Sequence, residues 1–106
     1  MTFDQRAQRW AEKRADEWET QQTKEWRAAN DADFEKWVEK ERASWLPRNR
    51  KGVWTNHDER QFDAYIEKAR DRDNEQSEKK LNEWLAEHRP DYEAEMLEKF
   101  YNKYAP

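Results

Sequence analysis

The chain has 106 residues, 43% of them charged, a net charge of −4, seven Trp, one Gly and no Cys. A single Gly excludes Gly-rich phosphate loops, dinucleotide fingerprints and nucleophile elbows, each of which needs at least two. The lack of Cys excludes disulfide frameworks and thiol chemistry. Leu, Ile and Val are scarce beside seven Trp, four Tyr and four Phe. The expected core is therefore built from aromatic rings, and it is thin enough that a partner chain or self-association would add needed burial.

Good helix formers dominate, β-branched residues are few, and no run alternates apolar and polar at period two. The expected fold is all-α, a single domain forming a small helical bundle or extended helical hairpins of three to four helices. Residues 1–46 read as a Trp-rich helical hairpin or one long helix. Asn30-Asp31 offers a stop and a new N-cap, but no Gly or Pro separates the halves, so a single rod is the alternative. Trp10, Trp18 and Trp26 recur every eight residues, which turns each ring about 80° from the last. Such a winding stripe favours neighbours on more than one side. Trp10 to Trp18 also resembles Trp37 to Trp45, a weak internal repeat. Phe34, Trp37 and Val38 share one helix face.

Residues 47–54 form the expected basic loop, which holds Pro47 and the sole Gly, Gly52. A long helix is expected over 55–88, with Thr55 as N-cap and Asp58 and Glu59 in its first turn. Its stretch from Asp71 to Lys80 is polar throughout, either a solvated helix supported by pairs such as Glu75–Lys79 or a local break. Pro90 suits the first position of a new helix, placing a C-terminal amphipathic helix over 90–104. Tyr92, Met96, Phe100 and Tyr104 form its i+4 ladder.

Catalytic constellations are missing. His57 and His88 are isolated, with no metal-binding spacing around either. His57 falls in a helix N-terminal turn and His88 near a helix C-terminus. No enzyme activity, cofactor or metal is expected. The longest apolar run is three residues, so no membrane span or signal peptide is expected, and a cytoplasmic or otherwise intracellular location follows.

Two surfaces remain as candidates. Arg42, Arg48, Arg50 and Lys51 form a basic knot beside Trp45 and Trp54, a pattern that contacts anions or nucleic acid. Trp54-Thr55, Asp58-Glu59 and Phe62 resemble the opening of a Myb/SANT-type helix over about ten residues. Position 73 is Asp where that pattern continues with Trp, and its basic recognition helix is missing, so no DNA-contact residue is carried over. The second surface is aromatic: Trp10, Trp18 and Trp26 first, then Trp45 and Trp54, as protein-binding residues. The expected function is a non-enzymatic interaction protein that docks through aromatic helix faces onto a larger protein or assembly, or onto itself, as inhibitor, adaptor or structural subunit. The alternatives are a nucleic-acid-binding accessory protein using 48–54 and an acidic nucleic-acid mimic.

Overall fold

The computed structural model describes residues 1–45 and 53–104, and all of its regular structure is helical. Helix α1 spans Phe3–Trp45 and helix α2 spans Asn56–Tyr104. The all-α class is as expected, but two long helices replace the expected three to four.

Both helices start on capping boxes. The Gln5 amide donates to the Thr2 hydroxyl at 3.2 Å, and the Thr2 amide donates to the Gln5 side chain at 2.9 Å. At α2, the Asp58 amide donates to the Thr55 hydroxyl at 3.2 Å and the Thr55 amide returns a bond to Asp58 at 3.0 Å. Thr55 is thus the N-cap that the sequence indicated.

The expected breaks do not break the helices. Asn30-Asp31 lies inside α1, where the Asn30 side chain donates to Asp73 at 2.8 Å instead of capping a new helix. The polar stretch from Asp71 to Lys80 is continuous helix. Two of its acids reach α1, Asp73 accepting from Asn30 and Glu78 from Arg27 at 2.7 Å, while Glu75 and Lys79 do not pair. Pro90 sits within α2. Its ring leaves the Ala86 carbonyl without an amide donor. Pro90 and Ala86 are both exposed, so water can serve that carbonyl.

The chain divides into two compact units, Met1–Trp26 with Lys80–Pro106 (unit 1) and Arg27–Lys79 (unit 2). In unit 1, Ala7, Ala11 and Ala15 are fully buried at i+4 spacing. Small residues there let the two helices approach closely, and Leu81, Leu85 and Met96 supply the buried α2 side chains. Rings flank this seam. Trp10 and Phe3 pack on Phe100, and Trp18 stacks on Tyr92 and Trp84 with centroids 5.0 and 5.6 Å apart. Partner numbers fall on α2 as they rise on α1, so the helices run antiparallel. In unit 2 the same direction holds, from Arg27–Glu78 to Trp45–Phe62. Among its described residues this unit buries only Phe34 and Phe62.

Candidate protein-docking groove

Within unit 2, the two helices leave an open groove of about 660 Å³. Phe34 and Trp37 of α1 are one turn apart, and their rings pack at 5.4 Å. Tyr65 and Ala69 of α2 share a face at i+4 spacing, and Tyr65 meets Trp37 across the helices at 6.0 Å. These residues line the groove together with Asn30, Asp33, Lys68, Arg72, Asp73 and Gln76. Cross-helix bonds hold its walls: Asn30 donates to Asp73, Arg70 to Glu35 at 2.5 Å, and the Tyr65 hydroxyl to Glu41 at 3.4 Å. The Arg70 guanidinium also lies 4.3 Å over the Phe34 ring, covering it from one side. By contrast, Asp33, Lys68 and Arg72 form no hydrogen bond or ion pair within the described residues. The groove therefore presents an aromatic floor with uncommitted charges of both signs.

The end of unit 2 nearest the connecting segment holds a second aromatic cluster. Phe62 makes T-shaped contacts with Trp45 and Trp54, with centroids 5.2 and 5.8 Å apart. Arg42 lies 4.6 Å over Phe62 and donates twice to Glu59, at 2.8 and 3.1 Å. The Trp54 indole N–H donates to the same carboxylate. Arg42 and Trp54 together hold the Glu59 carboxyl below its ordinary pKa. Asp58 is likewise lowered, first by the backbone N–H of Thr55 and then by its hydroxyl. The Trp45 indole N–H is buried and finds no acceptor among the described residues.

The structure places the sequence-indicated residues as follows. Arg42 spends its charge on Glu59 rather than standing free for an anion. Arg48, Arg50 and Lys51 lie outside the described residues. Trp45 and Trp54 meet on Phe62. In unit 1, Trp10 packs on Phe100, Trp18 on Trp84 and Tyr92, and Trp26 on Trp84. All three turn toward α2, so the winding stripe is met by one neighbouring helix. All seven Trp are half-buried and none is fully enclosed. His57 lies in the first turn of α2, as expected, and is exposed. His88 is inside α2, packed against Trp84 at 4.6 Å, because the helix end expected beside it does not occur.

Nothing in the sequence marks Trp37 and Tyr65 as binding residues. Phe34, Trp37 and Val38 carried a helix-face signal, which reads equally as core. Pairing this face with Tyr65 and Ala69 required the antiparallel register.

Unit 1 has its own polar focus. Arg89 donates to Glu93 at 2.6 Å, Asp16 at 2.8 Å and Glu19 at 3.0 Å. These acids keep the guanidinium protonated, with its pKa raised above the ordinary value. Three acids on one Arg make a structural clamp between the helices. Among the described residues no group of acids and histidines could hold a metal ion, and no helix is long and apolar enough to cross a membrane. No protein-family model matches the chain, and neither a curated protein nor a solved structure is similar to it.

Proposed function

We propose that the chain is a non-enzymatic protein-interaction module that docks through its aromatic helix surface, above all the groove of unit 2. The partner is a larger protein or assembly, or a second copy, and the role is that of inhibitor, adaptor or structural subunit. The observation that carries this reading is the groove itself, floored by Phe34, Trp37 and Tyr65 and bordered by uncommitted Asp33, Lys68 and Arg72. Aromatic side chains give large contact area at little rotamer cost, and unpaired rim charges select a partner by complementarity. A groove between two helices accepts a third helix along its length.

The test is affinity capture with the full chain, wild type against Tyr65→Glu, read by quantitative mass spectrometry that also counts differently tagged copies of the chain itself. Tyr65 is 39% exposed, and the substitution places charge on the groove floor; it also ends the Tyr65 hydroxyl's bond to Glu41 and its ring contact with Trp45, so far-UV circular dichroism must show the variant's helix unchanged. The expected result is a stoichiometric protein partner lost in the variant. Recovery of no protein above the variant's background would remove the reading.

A further inference from the structure

We propose that the groove of unit 2 is the contact surface of a symmetric dimer, with α1 of one copy lying antiparallel against α2 of the other. The proposal rests on the docking reading above and names its partner as a second copy of this chain.

Burial motivates it first. Unit 2 encloses only Phe34 and Phe62 among its described residues, while Trp37 and Tyr65 remain partly open on the groove floor.

Charge then selects the occupant. The walls carry Asp33 and Asp73 against Lys68 and Arg72, two of each sign. A strongly basic or strongly acidic partner meets a repelling pair in such a groove, whereas a second copy carries the complement. The Asn30–Asp73 and Glu35–Arg70 bonds fix the register and bring Asp33 of α1 level with Arg72 of α2. A two-fold axis parallel to the helices sets α1 of each copy in front of α2 of the other at the same level. Asp33 of each copy then faces Arg72 of the other, and Trp37 of each faces Lys68 of the other, a cation over a ring. A two-fold axis across the helices through the middle of the groove would instead set Asp33 against Asp33.

Sedimentation velocity of the full chain over a concentration series tests this. The expected wild-type species at physiological salt has twice the mass of the 13.2 kDa chain. Asp33→Arg and Arg72→Asp each place like charges together at two symmetric points, so each weakens dimerisation about tenfold. The double variant restores the opposite-charge pairing and brings the dissociation constant back toward wild type. Neither side chain has a hydrogen-bond or ion-pair partner among the described residues, so far-UV circular dichroism should show unchanged helix in all three variants. A dimer with this pattern supports the proposal. A dimer indifferent to the single swaps, or one the double variant does not rescue, overturns it. A monomer overturns it too: if that monomer still captures another protein through Tyr65 the docking reading stands, and if it captures nothing both readings fall.

Discussion

Arg42, Glu59, Trp54 and Phe62 show how single residues hold this protein together without buried charge. The guanidinium lies over a ring and donates to a carboxylate, so one side chain serves packing and polarity at once. Arg70 does the same over Phe34 with Glu35. No polar or charged side chain is buried among the described residues, so these pairs stay wet and individually modest. Glu59 makes the effect measurable. Its pKa is lowered in the folded chain, so its contribution is fully present above the unfolded carboxyl pKa and is lost as pH falls through the lower folded value. Wild type should therefore melt higher than Glu59→Gln at neutral pH, and the two melting curves should converge as pH drops below about 4. A constant gap across that range would show that Glu59 acts without its charge. The N-cap at Thr55 was legible from the sequence because its partner Asp58 lies three residues away. Glu59's tie to Arg42 was not, because the intervening chain must first reverse direction.

At the scale of elements, helix continuity is the main surprise. Pro90 and Asn30-Asp31 are ordinary stop signals, and each is overridden by the packing on both sides of it. Met96 beyond Pro90 and Leu85 before it are both buried in unit 1, and Arg89 clamps Asp16, Glu19 and Glu93 at that same turn. Burial of a few such side chains outweighs the ~3 kcal/mol that Pro costs in a helix interior. Pro90→Ala should recover part of that cost, offset by the greater freedom of the unfolded chain, for a net gain of about 1–2 kcal/mol. Chemical denaturation would measure it, and an unchanged midpoint would mean that α2 bears no strain at Pro90. Sequence periodicity placed the helical segments well but set their ends wrongly, since a breaker's local cost is visible in the chain and the tertiary contacts that offset it are not.

For the whole molecule, α1 and α2 each contribute a segment to both units. Unfolding either unit must therefore release segments of the same two helices. Heating should give one calorimetric transition, with the calorimetric and van't Hoff enthalpies equal. Phe62→Ala empties the most fully buried position of unit 2 and should cost about 3–5 kcal/mol of global stability. Two separated heat-absorption peaks, only one of them moved by Phe62→Ala, would show that the units melt independently.

Helix propensity and capping act over neighbouring residues, so the chain alone fixed the helical class and the α2 cap. The expected aromatic core is corrected, because in unit 1 the buried residues are Ala7, Ala11, Ala15, Leu81, Leu85 and Met96 and the larger rings flank them half-buried. The sequence also excluded phosphate-loop and thiol chemistry, since a single Gly and no Cys leave nothing to build them from. Only the tertiary structure decided that Trp10, Trp18 and Trp26 turn to one neighbouring helix, that Arg42 belongs to Glu59, and that Trp37 and Tyr65 share a groove. Each of these joins residues from different helices. Antiparallel register sets such pairs, and it is fixed by many weak contacts acting together rather than by any one stretch of the chain.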